Sequence, residues 1–403
     1  MTIDTTTSDP EQLRTALADY ISRRGTFRTP KVEAAFRAVP RHLFLPDVDP
    51  ETAYGPKVVV VTKRAEDGTA LSSASSPNLV ATMLEQLDVQ PGHRVLEIGA
   101  ATGINAALLA ELVGPTGEVV TIEIDDDLAA GARAGLTAAG YHQVEVICAD
   151  GVHGHPAKAP YDRIIVTAGA WDIACAWWQQ LTVGGRLVVP LRLHGSGLTR
   201  SIAFDLHQPA LMVSSSAQVC GFVPMRGAAA HPERSLRLAH DVVLHLDAAD
   251  SGDEAALDQA LTYPAHEHRT GVQIRDDEPV EHLDLWLATT TSNFARLSAG
   301  SQARDSGLVD PALRWAGAAL HDRGTLAYLT LRPHSDASTE LGVIAHGPDS
   351  RNFAAHTADL LHRWNRERPT QPIITAHRNE TSDDQLPSAA HIVRPDTRLI
   401  IAW

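Results

Sequence analysis

Five short apolar runs, each separated from the next by helix-length text, constrain this chain more than anything else in it. Arg94–Ile98 reads as a buried strand, after which Ile104, Leu108 and Leu112 recur at helical spacing. Glu118–Ile122 and Glu145–Cys148 read as further strands, with an Ala-rich helix over Asp126–Ala139 that closes at Gly140. Arg163–Thr167 and Arg186–Pro190 complete the series. Strands alternating with helices of about 10–15 residues require crossover connections and so predict a doubly wound, mostly parallel sheet covered on both faces. Upstream, Glu11–Arg24 and Lys31–Val39 read as short helices. Ser76-Pro77 supplies an N-cap and a first-turn proline for a helix striped by Val80, Leu84 and Leu87.

Beyond Pro190 the pattern changes. Ser201–Leu206, Val242–Leu246, Leu283–Leu287 and Thr325–Leu331 read as strands, and Phe353–Trp364 as an amphipathic helix. Asp247–Asp258 reads as a solvated acidic face that could attract a basic peptide. Asn379–Pro387 reads as a loop. The division expected is an N-terminal helical, substrate-admitting segment over 1–75, an α/β core over 76–225 and a C-terminal α+β domain over 226–403. A net charge of −15 argues against a nonspecific nucleic-acid binder, which needs clustered Lys and Arg. No apolar run reaches the ~18 residues of a membrane span. The N-terminal text, Met1–Arg14, lacks a basic and then apolar secretory signal. With only Cys148, Cys175 and Cys220 there is no disulfide framework, so the expectation is a cytoplasmic protein.

The chemistry is densest at Val95–Gly103, a buried strand that ends in a small-residue turn and passes straight into a helix. Gly99 and Gly103 let the backbone approach a ligand where a Cβ would intrude. Glu123, twenty residues past Gly103 at the end of the next strand, is placed to accept both hydroxyls of a ribose. Asp150-Gly151 ends the strand after that, where it meets an adenine amino group. Ala101 in the turn, Ile124 beside Glu123 and Thr167 at a further strand end complete the expected cofactor contacts. A P-loop would need Gly-Lys-Ser/Thr, which is missing after the turn. A dinucleotide site prefers a third glycine and a helix N-terminus open to pyrophosphate. Here Glu97 precedes Gly-x-Ala-x-Gly, and negative charge suits a ligand carrying an ammonium and a sulfonium: S-adenosylmethionine. The competing reading is that the small residues only let a helix pack on a strand.

Several blocks together resemble the protein-L-isoaspartate O-methyltransferases. They are Val39–Phe44, Ala53-Tyr54, the Glu97–Gly103 turn, Ile122-Glu123, Asp150-Gly151, Pro160–Ala168 and Gly184–Pro190, spanning about residues 32–206. The resemblance implies a Rossmann-like S-adenosylmethionine-dependent methyltransferase core with an additional C-terminal α+β domain. It also implies an aspartyl or isoaspartyl carboxylate as methyl acceptor. By position, Glu123 would hold the ribose and Asp150-Gly151 the adenine edge, with Gly99 and Gly103 flanking the methionine part. The chain departs from the family pattern in three places. Thr69–Pro77 reads as a serine-rich loop where Thr-Ile-Ser-Gln-Pro is usual, the middle glycine of the turn is Ala101, and Trp171-Asp172 follows Thr167-Ala168. The loop and Trp171, expected near the acceptor's entry, point away from the ordinary repair substrate. Trp171 and Tyr54 are the expected substrate-binding residues. The long C-terminal half looks like the extended members encoded with ribosomally made lanthipeptides and graspetides, which methylate one aspartate of a modified precursor peptide. The methyl ester then closes to an aspartimide, which hydrolyses to isoaspartate or aspartate. Partners would be that precursor or isoaspartyl peptides, with no nucleic acid and no membrane.

A carboxylate with a pKa near 4 is already a nucleophile at neutral pH, so the reaction needs no general base. Alignment of the reacting groups can contribute roughly 7–11 kcal/mol. Hydroxyls of Ser73, Ser75 or Ser76 are the candidates for positioning the acceptor, with helix capping as the other reading of Ser76. His153-Gly154-His155 and His266-Glu267-His268 lack a third ligand, and the cysteines lack Cys-x-x-Cys spacing, so no metal is expected. Trp177-Trp178 either lines a groove or packs a helix on the sheet. Methylation of a precursor peptide is the leading expectation and general isoaspartyl repair the alternative. A noncatalytic peptide-binding module would keep the fold without turnover. A small-molecule methyltransferase acting on an alcohol would need a base that this region does not offer.

Overall fold

The computed structural model describes residues 9–247, 253–275, 278, 280, 282–313, 316–335, 338–387 and 389–403. The readings on residues 1–8 and on 248–252 of the acidic stretch lie outside the described residues.

The N-terminal helices α1 (Pro10–Arg23), α2 (Pro30–Ala38) and α3 (Pro50–Ala53) each open on a proline, whose fixed φ and missing N–H suit a first helical turn. Carboxylates of Asp9 and Asp49 accept from Glu11 N and Thr52 N and cap α1 and α3. The text read as a serine-rich loop is instead half of a hairpin, β1 (Val60–Arg64) and β2 (Ala70–Ala74). Ser72 and Ala74 are small enough to point inward on alternate positions, and Thr62 Oγ1 donates to Ser72 Oγ over 2.9 Å. Helix α4 (Pro77–Leu87) follows, burying Ala81, Leu84 and Leu87.

The crossover pattern then appears as β3 (Arg94–Ile98), α5 (Ile104–Val113), β4 (Glu118–Glu123), α6 (Asp126–Ala138), β5 (Glu145–Cys148), β6 (Tyr161–Val166), α7 (Cys175–Gln180) and β7 (Leu181–His194). These five strands are mutually parallel in the spatial order β5-β4-β3-β6-β7. From β7 the sheet continues antiparallel through β8 (Leu198–Gln208) and β9 (Leu211–Val219). Trp177 and Trp178 of α7 are buried in the core, where Trp177 Nε1 donates to Gly151 O. They pack the helix on the sheet.

A second, seven-stranded antiparallel sheet is built from β10 (Arg234–Ala239), β11 (Val242–Leu246), β12 (His266–Arg275), β13 (Phe294–Ala299), β14 (Gly317–Asp322), β15 (Thr325–Ser335) and β16 (Ser338–His346). Short helices α8 (Glu254–Asp258), α9 (Leu283–Thr290) and α10 (Ser301–Asp305) interrupt it, and α11 (Ser350–Glu367) packs across β12, β15 and β16. The expected strand Leu283–Leu287 is therefore helical. Its alternating leucines misled because Trp286 is also buried, so Leu283, Trp286 and Leu287 form one helical face while Leu285 is covered as well.

The last strands, β17 (Ile373–Arg378), β18 (Ala390–Val393) and β19 (Thr397–Ala402), return to the first sheet and extend its β9 edge, giving ten strands. The chain end is also fastened to α7. Cys175 N donates to Asp396 Oδ2 (3.0 Å), Asp396 N to Asp172 Oδ2 (2.7 Å) and Thr397 Oγ1 to Ile173 O (3.1 Å). One apolar cluster runs from Ile164 and Leu187 through Met212 to Leu329 and Leu361, so both sheets share it. Position 226 thus cuts through this shared cluster, although one further cluster lies wholly before it and another wholly after it. Among the described residues no helix is long and apolar enough to cross a membrane.

Candidate functional site

The parallel strands progress from β3 outward to β4 and β5, and then β6 starts on the other side of β3. Such a reversal opens a crevice at the carboxyl ends of the two central strands. The turn after β3 is fixed there by Gly99 N and Ala100 N, which donate to Ile122 O, and by Thr167 N, which donates to Ile98 O. Thr167 Oγ1 donates to the carbonyls of Ile98 and Gly99. Gly99 has φ +101°, and a Cβ there would lie 2.6 Å from Thr167 Oγ1. Ala101 keeps a left-handed φ of +47° without being glycine, at a cost of roughly 1–2 kcal/mol. Its N–H donates to Glu123 Oε2 over 2.8 Å, which offsets that strain. Gly103 has a different task from the one expected. A Cβ on it would meet Ala132 at 3.1–3.3 Å, so it lets α5 approach α6 and stands outside the crevice lining.

Three carboxylates surround the turn. Glu97 is wholly buried, accepting from Asn105 Nδ2 at 2.7 Å and Thr121 Oγ1 at 2.6 Å. Burial pushes its pKa up to about 7 against the pull of those two donors, and the neighbouring Glu123 adds to the rise. The full negative charge expected beside the turn is therefore only partly present at neutral pH. Glu123 accepts from Ala101 N through one oxygen and from Ile124 N (3.0 Å) and Asp125 N (3.3 Å) through the other. Asp150 accepts from Val152 N at 3.0 Å and from Ala228 N at 2.8 Å. At Gly151 a Cβ would come within 2.4 Å of Ile98 Cγ2.

The crevice has two lobes. Ile98, Glu123, Ile124, Asp150, Gly151 and Thr167 line the first, beneath a strap of residues 223–226. Arg41, Ser75, Met83, Glu97, Asn105 and Phe222 line the second. Ser73, Gly99, Ala101 and Thr167 face both, so the lobes form one cleft. Arg226 anchors the strap, donating to Asp125 Oδ2 at 2.5 Å, while Lys63 of β1 pairs with Asp125 (3.3 Å) and Asp127 (2.7 Å). Arg226 and Lys63 hold Asp125 well below the usual carboxylate range. The strap and the β1–β2 hairpin thus close on one acidic helix start. Their closure leaves cavities of about 70 and 50 Å³, small beside the roughly 300–1,000 Å³ of an open ligand site.

Three residues expected at the site stand elsewhere. Ser76 precedes α4, where its side chain makes no capping bond, and lines neither lobe. Tyr54 is buried with its hydroxyl 2.9 Å from His42 Nδ1. Trp171 is turned away because Gly169 and Ala170 bridge to Pro224 and Leu191. Its ring stacks on His231 at 3.6 Å and carries the Arg394 guanidinium at 3.3 Å. Conversely, Arg41 was not singled out. Its Nε donates to Ala53 O (2.7 Å) and its Nη2 to Ser75 O (3.0 Å). Burial lowers its pKa to about 10, leaving it a cation at neutral pH. No carboxylate among the described residues pairs with it. A cation set between Val39-Pro40 and Leu43-Phe44 was the available signal. Arg226 lies beyond the stretch on which the resemblance was drawn.

This arrangement fits S-adenosylmethionine. Carboxylates stand at consecutive strand ends, and Gly99 and Gly151 keep open space that a Cβ would fill. A family model described as Protein-L-isoaspartate(D-aspartate) O-methyltransferase (PCMT) matches residues 12–230. A protein-L-isoaspartate O-methyltransferase of Methanopyrus kandleri is 41% identical over 179 residues, 44% of this chain and 76% of that protein. Protein-L-isoaspartate O-methyltransferase 2 of Archaeoglobus fulgidus is 38% identical over 219 residues, 54% of this chain and 95% of that protein. A solved structure named protein-L-isoaspartate O-methyltransferase aligns with 91% of this chain and 97% of its own, with a TM-score of 0.52 at 21% identity, a likeness of fold.

Proposed function

Because the chain belongs to the protein-L-isoaspartate O-methyltransferase family, we propose that it methylates the side-chain carboxylate of isoaspartyl residues in proteins and peptides. It is an S-adenosylmethionine-dependent protein carboxyl O-methyltransferase. When bound, the donor supplies an electrophilic sulfonium methyl group. The observation that carries the reading is the two-lobed cleft, with paired carboxylates in one lobe and an unneutralised guanidinium with serines in the other.

In this reading Glu123 accepts from ribose hydroxyls and Asp150 from the adenine amino group, while the Gly99–Ala101 turn and Thr167 bound the methionine part. Asp150 would hold that amino group with the acceptor capacity left beside its bonds from Val152 N and Ala228 N. Arg41, Ser73 and Ser75 receive the acceptor carboxylate. The guanidinium offsets the desolvation of an anion that would otherwise resist leaving water. That carboxylate is already ionised at neutral pH, so no residue has to remove a proton. The chain's contribution is to align the two reactants and, with the strap closed, to exclude water.

Methylation of one aspartate in a modified ribosomal peptide is the narrower reading. One of its supports has weakened: Trp171 stands outside the cleft. The serines of β2 remain in its favour. Both readings are tested by offering unrelated isoaspartyl peptides and their aspartyl counterparts with labelled donor. Methylation of the isoaspartyl set alone supports general repair. Transfer to an aspartyl precursor and not to isoaspartyl peptides overturns it for the narrower reading. Absence of S-adenosylhomocysteine binding by calorimetry would reduce the protein to a noncatalytic binding module.

A further inference from the structure

A second cavity, about 750 Å³ in volume, lies between the two sheets. Its floor is one face of the antiparallel sheet, where Arg296, Ala318, Leu329, Leu341 and Ile274 sit on the successive neighbours β13, β14, β15, β16 and β12. Its roof is the β7–β8 turn with residues 219–221, immediately before the strap over the donor cleft. The volume falls within the roughly 300–1,000 Å³ of small-molecule sites. Interiors otherwise leave few voids larger than a water molecule. Ordered water needs several polar partners, which these largely aliphatic walls do not offer over most of their area.

The wall carries two guanidinium groups, Arg200 and Arg296, and two carboxylates, Glu233 and Asp284. Arg200, 1% exposed, is paired with Asp284 at 2.6 Å. Glu233 is paired with Arg192 at 3.3 Å. His245 bonds Ser298 Oγ at 2.9 Å, and its pKa is lowered by burial and by Arg296, so it is neutral. Burial holds the Cys220 thiol neutral too, its pKa pushed up to about 12. Arg296 makes no ion pair among the described residues, and Asp284 acts on it only from a distance. It donates to Gly197 O and Ala316 O, both at 3.0 Å, while its buried Nε has no hydrogen-bond partner among the described residues. A part-buried guanidinium served only by carbonyls retains the capacity to take an anion as a direct partner.

We infer that this cavity is a binding site for a small apolar carboxylic acid, whose carboxylate pairs with Arg296 and whose hydrocarbon body lies against Ile274, Leu329 and Leu341. The pairing gives Arg296 an anion in direct contact and its Nε–H an acceptor. The apolar body replaces water along walls that cannot bond it.

Calorimetric titration of the full chain with dodecanoate tests the inference. Saturable 1:1 binding is expected, with methyl dodecanoate, which lacks the charge, binding at least tenfold more weakly. Arg296→Leu should lose at least tenfold in dodecanoate affinity, and Arg296→Lys should recover part of it. Arg296 also holds two carbonyls, so Ala318→Trp serves as a second variant that fills the cavity and keeps the guanidinium. It should abolish dodecanoate binding while S-adenosylhomocysteine binds the other cleft as in the parent. No saturable binding to the parent, or binding indifferent to both Arg296→Leu and Ala318→Trp, overturns the proposal. Binding confined to peptides with a free apolar C-terminus, and not to dodecanoate, overturns it in favour of a protein partner.

Discussion

The donor cleft and the inter-sheet cavity share a stretch of chain, yet they are built on opposite plans. In the cleft, strand ends of a parallel sheet deliver backbone N–H groups and carboxylates to a few points. Nearly every charge there has a partner, and little volume is left. In the cavity, the broad face of an antiparallel sheet delivers aliphatic side chains, much volume and a guanidinium whose Nε–H has no acceptor among the described residues. The contrast follows from geometry. Parallel strands end together, so their termini concentrate polar groups, whereas antiparallel strands offer a face of alternating side chains.

Substitutions that act on only one of the two plans sharpen the contrast. The largest effect is expected from Glu123→Ala, which should weaken S-adenosylhomocysteine roughly 100- to 1,000-fold by calorimetry through loss of charge-assisted bonds. Dodecanoate binding should be unchanged, and a parallel loss there would show that the two sites are one. Next is Glu97. The folded protein holds a proton here up to about pH 7, while the unfolded carboxyl ionises near its ordinary 4.5. Stability therefore falls as pH rises through that window and levels above it, by ~3 kcal/mol at most. Glu97→Gln should flatten this slope in urea unfolding at pH 4.5, 6 and 8. Arg41→Met should lower kcat/KM for an isoaspartyl peptide roughly 30-fold, about 2 kcal/mol, by removing a charged partner. It should leave S-adenosylhomocysteine affinity unaltered, and an equal loss of both would place Arg41 with the donor. The smallest effect is expected from Arg226→Ala. Freeing the strap from Asp125 should raise the S-adenosylhomocysteine association rate a few-fold in stopped-flow measurements, in line with the ~1 kcal/mol of a half-exposed ion pair.

The same contrast explains what could be read from the residues alone. The parallel half is written locally: Arg94–Ile98 is β3 to the residue, and Glu123, Asp150 and Thr167 line the cleft from successive strand ends. Ser73 and Ser75 reach it as well, although the loop expected there is a strand. Gly103 could not be assigned correctly, because a glycine admitting a ligand and one admitting a helix look identical until Ala132 is seen behind it. Arg41 escaped notice because its neighbours, Ala53 O and Ser75 O, come from distant turns. In the second half Val242–Leu246 matches β11, but β17–β19 gave no warning of their destination. Thr375 pairs with Val213 and Ala376 with Met212, partners far removed in the chain that no local periodicity encodes.

Those returning strands mean that the portion shared with relatives and the portion that holds itself together are different lengths of chain. The family match stops at 230, but the sheet carrying the cleft is finished by residues 373–402. A chain cut at 230 would leave the outer side of β9 with bare amides and carbonyls, a template for self-association. It would also release the clasp of Asp396 and Thr397 on α7, whose Trp177 steadies Gly151. Any lineage that sheds the second half must therefore invent a new border for the first.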